Sequence, residues 1–115
     1  LKELYNEINK IIKTHRPDVL AIEKVFFAKN QKTALAVAEA RGVMLLTTAL
    51  AGLKICEYTP LEVKKTITGD GRADKAQLKK MLQLTIPQVS RIKGTDDVFD
   101  AVALALTYLY KGSKL

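Results

Sequence analysis

Apolar residues recur at helical spacing from the start of the chain. Leu1, Leu4, Tyr5, Ile8, Ile11 and Ile12 are interleaved with Lys2, Glu3, Glu7, Lys10 and Lys13. The spacing predicts an amphipathic helix. Pro17 ends it, because the residue before a proline is pushed out of the helical region. Val19-Leu20-Ala21-Ile22 is then a short continuous apolar run leading into Glu23. Such a run between helices predicts a strand buried on both faces, as in a parallel sheet. An alanine- and leucine-rich stretch over 31 to about 50 predicts a second helix, with Gly52 as its stop. Residues 53–58 read as a second strand, and 61–67 as a short helix after Pro60, which suits a first helical turn. The glycines of Thr68-Gly69-Asp70-Gly71-Arg72 mark a loop. A helix over 73–84, a connection at Pro87 and a closing helix over 97 to about 110, capped by Asp96, complete the pattern.

The order α-β-α-β-α-α-α places a βαβ crossover in an α/β layered fold. Two strands make a poor sheet alone, so the sheet is expected to continue in further sequence or in another chain. Leu1 already lies inside a helical pattern, and a natural start upstream of it is expected. No repeat, low-complexity segment or linker divides the 115 residues, which fit one domain at most. No apolar run is expected to be long enough to cross a bilayer, since Thr47 and Thr48 interrupt the stretch 42–53. The single cysteine, Cys56, cannot form an intramolecular disulfide, which favours a reducing intracellular setting.

Charge adds a partner class. The net charge is +7 with a pI of about 9.6, and such an excess points to a polyanion, most often nucleic acid. Between Glu62 and Lys93, Lys64, Lys65, Arg72, Lys75, Lys79, Lys80, Arg91 and Lys93 face only Glu62, Asp70 and Asp74. Lysines of this stretch could hold phosphates, although a solvated helix surface reads the same way. The glycine loop lacks the spacing and the Lys-Ser/Thr pair of a nucleotide-binding loop.

Three carboxylates stand out. Glu23 should emerge at the C-terminal edge of the sheet, where sites of open α/β folds gather. A solvated strand end is the plainer alternative. Asp97 and Asp100 are spaced i, i+3 on one face of the last helix, and paired carboxylates suit a hard divalent cation. They also suit a helix N-terminus, whose dipole favours acidic residues. Asp100 lies one turn in, followed by Ala101-Val102-Ala103-Leu104, where an unpaired buried charge would be costly. Phe26 and Phe27 leave the first strand together, and one of them could stack on a base or wedge into distorted DNA. His15 suits a helix C-terminus, and with no second histidine or cysteine cluster a zinc site is not expected.

Four segments in order resemble one family. Ala21-Ile22-Glu23-Lys24-Val25-Phe26, continuing to Asn30, resembles the "AIExVFxxKN" of RuvC-type Holliday-junction resolvases. Ala40-Arg41-Gly42-Val43 resembles their "ARGV", and the stretch from Val63-Lys64 to Lys75 their "VKxxxxGxGxAxK". Asp97-Val98-Phe99-Asp100-Ala101-Val102-Ala103-Leu104-Ala105 resembles their "DxxDAxAxA" helix. The resemblance covers essentially the whole chain. It implies a ribonuclease H-like fold and a bacterial, cytoplasmic crossover junction endodeoxyribonuclease of recombination and repair. It further implies Glu23, Asp97 and Asp100 as three of four acidic metal ligands, and Phe26, Lys64 and Lys75 as DNA-contacting residues. Mg²⁺ is the implied cofactor, with Mn²⁺ able to substitute and two ions per site. Four-way junction DNA, a second copy of the chain (through the helix of Arg41 and Gly42) and a branch-migration helicase complex are the implied partners, with no membrane.

The family's opening strand carries "GIDPG", whose aspartate is the fourth ligand, and no such segment occurs here. The sheet is therefore expected to be incomplete, and these 115 residues alone are expected to be inactive or nearly so. The competing expectations are a different ribonuclease H-like nuclease and a non-catalytic DNA-binding or dimerisation module.

Overall fold

The computed structural model describes residues 1–24, 31–91 and 96–112. Its elements follow the predicted order: α1 (Lys2–His15), β1 (Val19–Glu23), α2 (Gln31–Leu50), β2 (Lys54–Tyr58), α3 (Pro60–Thr68), α4 (Lys75–Thr85), a 3₁₀ turn (Pro87–Arg91) and α5 (Asp96–Lys111). β1 and β2 form a two-stranded sheet. The strands are parallel, since the Lys54 amide donates to the Asp18 carbonyl at their start (2.9 Å) and the Lys24 amide to the Tyr58 carbonyl at their end (2.8 Å). The described residues divide into two compact units, one of residues 1–20 with 31–56, the other of residues 21–24 with 57–91 and 96–112.

In the first unit α1 packs on α2. Leu4, Ile8 and Ile12 of α1 are half-buried, while Tyr5 and Ile11 are exposed, so one stripe of the helix is used. Arg16 ends α1 in the left-handed region (φ 48°, ψ 56°), where its amide still reaches the Ile12 carbonyl at 2.8 Å. Pro17 makes this stop obligatory.

One expectation is corrected in α2. Residues Lys32–Leu50 are, by length and composition alone, apolar enough to cross a membrane, with a mean hydropathy of 1.3. The threonines that looked like interruptions do not act as such. Thr47 Oγ1 donates to the Val43 carbonyl (2.6 Å) and Thr48 Oγ1 to the Met44 carbonyl (2.8 Å), so both hydroxyls are satisfied within the helix and both residues are buried. Leu35, Val37, Leu46 and Leu50 of the same helix are exposed.

The second unit packs α3 against α4 and α5, and α4 against the 3₁₀ turn. Its core draws Val63 and Ile67 from α3, Leu78 and Leu82 from α4, Val89 from the turn, and Ala103 and Leu106 from α5. Thr107 is fully buried and spends its hydroxyl on the Ala103 carbonyl at 2.7 Å. α3 begins in a capping box. Thr59 Oγ1 accepts from the Glu62 amide, and Glu62 Oε1 accepts from the Thr59 amide, each at 3.1 Å. The bond from the Thr59 backbone is the chief reason the Glu62 carboxyl sits below its ordinary pKa, partial burial opposing it. Lys111 Nζ, 3.4 Å from Glu62 Oε2, ties this start to the end of α5.

Thr59→Ala is expected to cost about 1 kcal/mol in urea unfolding at neutral pH. Because the folded pKa of Glu62 is depressed, its contribution is fully present above the ordinary carboxylate value. It is lost as pH falls through the depressed one, so the difference between wild type and Glu62→Gln should vanish in acid.

Candidate active site

β1 delivers Glu23 to the end of the strand, where the hydrogen bond from Lys24 to Tyr58 fixes the last backbone turn beside it. α3 supplies Lys64, one residue past the buried Val63, so the lysine is half-buried on a helix anchored by its core residues. The loop that follows is locked by its own polar groups. Gly69 caps α3 at φ 84°, Thr68 Oγ1 donates to the Lys64 carbonyl at 2.7 Å, and Asp70 Oδ1 accepts from the Arg72 amide at 2.8 Å. A positive φ of this size suits only glycine without strain.

The predicted helix over 73–84 begins two residues later than expected, at Lys75. Asp74 stops it from starting sooner by acting as a capping box: its Oδ1 accepts from the Gln77 amide and Gln77 Oε1 accepts from the Asp74 amide, each at 2.8 Å. Lys75 is thereby the first residue of α4.

These elements meet in one pocket of about 240 Å³ within the second unit, lined by Glu23, Pro60, Val63, Lys64, Lys75, Leu78, Asp100, Ala103 and Leu104. The volume is below the usual range of enclosed small-molecule sites. Four residues singled out in the sequence, Glu23, Lys64, Lys75 and Asp100, line it together. The apolar lining from Pro60, Val63, Leu78, Ala103 and Leu104 carried no sequence signal of its own, because it is assembled from three helices.

A chain of charges runs from the pocket to the start of α5. Lys75 Nζ lies 3.4 Å from Asp100 Oδ1 and 3.5 Å from Asp96 Oδ2. Lys79 Nζ reaches Asp96 Oδ1 at 2.6 Å and sits 5.0 Å from the centre of the Phe99 ring. Desolvation is the largest single influence on the Lys75 ammonium and works against it, but the charges and hydrogen bonds of Asp100 and then Asp96 together outweigh it and hold its pKa above the usual lysine value. The hydrogen bond from Lys79, with the charges of Lys75 and Lys79, holds Asp96 below the usual carboxylate value. Asp96 was expected to cap α5. It is instead the first residue of the helix, and its carboxylate turns to the two lysines of α4.

Asp97 is exposed on α5 and is not among the residues lining the pocket. Among the described residues no group of three His, Cys, Asp or Glu side chains is close enough to hold a metal ion. Glu23 and Asp100 nevertheless have the oxygen-donor chemistry that hard divalent cations need, and the Lys75 ammonium against Asp100 shows that this end of the pocket draws positive charge. The residues present thus fit part of a cation site. Phe26 lies outside the described residues.

The chain as a whole is similar to known proteins. The family profile described as crossover junction endodeoxyribonuclease RuvC matches residues 1–108. Proteins of that description from Caldicellulosiruptor saccharolyticus and Pelotomaculum thermopropionicum are 49% and 46% identical over 100% and 96% of this chain. The chain covers 69% and 66% of their lengths, and 63% of the Roseiflexus relative, so it spans about two thirds of these proteins. The solved structure of Thermus thermophilus RuvC superposes with a TM-score of 0.85 at 26% identity, over 97% of this chain and 67% of that one. The structure of the same protein in complex with a Holliday junction substrate gives 0.84 at 25% identity, over 96% and 67%. The shared fold is ribonuclease H-like, as the sequence resemblance implied. With a profile matching nearly end to end and relatives close to half identical, the chain belongs to the RuvC family of crossover junction endodeoxyribonucleases.

Proposed function

We propose that this chain supplies most of the catalytic and DNA-contacting residues of a magnesium-dependent endonuclease that resolves four-way DNA junctions. The observation that carries the reading is the pocket in which Glu23 and Asp100 meet Lys64 and Lys75, in a member of the RuvC family. Carboxylates from a strand end and a helix face the same small volume as two lysines suited to phosphate, an arrangement that fits phosphodiester chemistry. Glu23 and Asp100 would hold Mg²⁺, with Mn²⁺ as substitute. Asp97, on the same face of α5 one turn earlier, would join them in a site for two ions. Bound ions of this kind lower the pKa of an attacking water and stabilise the charge that develops on the leaving oxygen. Lys64 and Lys75 would orient the phosphate, and Phe26 would contact bases at the crossover.

The exposed apolar residues of α2 support the further proposal that a second copy of the chain covers that helix, so that the working protein is a homodimer of single nuclease domains in the bacterial cytoplasm. An association with a branch-migration helicase belongs to the same reading.

The test compares a four-way junction with a linear duplex of equal length, with and without Mg²⁺. Preferential junction binding supports the reading, and equal affinity for both would favour a different ribonuclease H-like nuclease. Retained junction affinity without any Mg²⁺ or Mn²⁺ binding would favour a non-catalytic DNA-binding module. Lys64→Ala and Lys75→Ala are each expected to weaken junction binding and to reduce the slope of log affinity against log salt by about 1. An unchanged slope in both variants would remove them from the DNA interface.

A further inference from the structure

We infer that Asp96 is a positioning residue that gives the Lys75 ammonium a second berth, letting Lys75 yield Asp100 to an incoming divalent cation while staying at the rim of the pocket. The inference rests on the proposed role of Glu23 and Asp100 as cation ligands.

Lys75 is shared almost equally, 3.4 Å from Asp100 and 3.5 Å from Asp96. Neither contact is short, and the groups are about half exposed, so each pair is weak and exchange between them costs little. Lysine is suited to such a shift, with a compact charge on a flexible stem. Asp96, by contrast, is held. Its other oxygen takes Lys79 at 2.6 Å, and Lys79 rests over the Phe99 ring at 5.0 Å, one residue before Asp100. The carboxylate therefore stays aimed at α4 from the start of α5.

Asp96 does not line the pocket, whereas Lys75 and Asp100 do. Its side-chain contact with a residue of the site is the one it makes to Lys75. A divalent cation on Asp100 competes with the ammonium for the same oxygen and repels it. Without Asp96 the displaced ammonium would lose the second carboxylate it touches at the start of α5. With Asp96 it keeps a carboxylate oxygen, Oδ2, that Lys79 on Oδ1 leaves to it. The free energy of cation binding is then less opposed, and the lysine remains where a phosphate would meet it.

The effect is a coupling between two side chains, so a double-mutant cycle reads it. Mn²⁺ binding to the full chain, followed by the electron paramagnetic resonance signal of free Mn²⁺, would be compared in wild type, Asp96→Asn, Lys75→Met and the double variant. Lys75→Met is expected to tighten Mn²⁺ binding, because a competitor is gone. Asp96→Asn should weaken it by about two- to fivefold when Lys75 is present, and have little effect when it is absent. Equal weakening in both backgrounds would mean a direct charge effect or a disturbed helix start, and would overturn the inference. No effect of Asp96→Asn in either background would overturn it too. If wild type and Lys75→Met both fail to bind Mn²⁺, alone and also when joined behind a strand carrying a Gly-x-Asp-Pro-Gly segment, the assignment of Glu23 and Asp100 as ligands fails, and the role of Asp96 falls with it; where only the joined form binds, the cycle is read there.

Discussion

Leu82→Ala is expected to lose about 2–5 kcal/mol of folding stability. Leu82 is wholly excluded from solvent, on the helix that packs against both α3 and the 3₁₀ turn. Removing its branched end forfeits the transfer of three carbons and leaves a void that neighbouring helices can only partly close. A small domain has about 5–15 kcal/mol in all, so the loss is a large share of it. With a urea slope of about 1–3 kcal/mol per molar, the midpoint should fall by on the order of 1–2 M. Leu84 provides the control, since it lies two residues on and is 68% exposed. Leu84→Ala should stay within about 0.5 kcal/mol. Similar losses at both positions would contradict the placement of α4.

That contrast also shows what sequence patterning can and cannot reach. Helical spacing puts Leu82 on one face with Leu78, and Leu84 on the other, but the packing of α3 and the 3₁₀ turn decides which face is buried. The order of elements was readable because each depends on near neighbours: the stripe of α1, the stop at Pro17, the apolar run before Glu23, the glycines at 69 and 71. The cap of α4 was also readable in principle. Asp74-Lys75-Ala76-Gln77 carries the acidic-to-glutamine spacing of a capping box, and the adjacent glycines drew the helix start two residues too early. Asp96 is different in kind. Its partners, Lys75 and Lys79, lie 21 and 17 residues away on another helix, and no local rule separates a cap from a cross-helix ion pair. Asp100 was suspect for a reason that does transfer from sequence to structure. A charge entering an apolar helix requires a counter-charge, and Lys75 supplies one. The lining of the pocket by Val63, Leu78 and Ala103 could not be read at all, because residues that close a site look like any other core.

The second large effect concerns cleavage. The 115 residues alone are expected to bind a four-way junction yet nick it, in Mg²⁺, about 10³-fold more slowly than the same chain joined behind a strand carrying a Gly-x-Asp-Pro-Gly segment. The pocket brings Glu23 and Asp100 together, Asp97 one turn earlier on α5 does not line it, and among the described residues no three acidic, histidine or cysteine side chains lie close enough to hold an ion without a further ligand. Hard cations in such sites depend on converging oxygen ligands, and their stabilisation of a phosphodiester transition state is worth several kcal/mol, each 1.4 kcal/mol being about tenfold in rate. The added aspartate should therefore restore symmetric nicking. Asp100→Asn within the joined protein should return the rate to that of the 115 residues, because it removes the carboxylate that α5 presents to the pocket. Single-turnover cleavage of a labelled junction, with binding measured in parallel, separates lost chemistry from lost affinity. Rapid symmetric nicking by the 115 residues alone would sink the proposal that a further carboxylate is needed. Cleavage by the joined protein that survives Asp100→Asn would place the reaction somewhere other than this pocket.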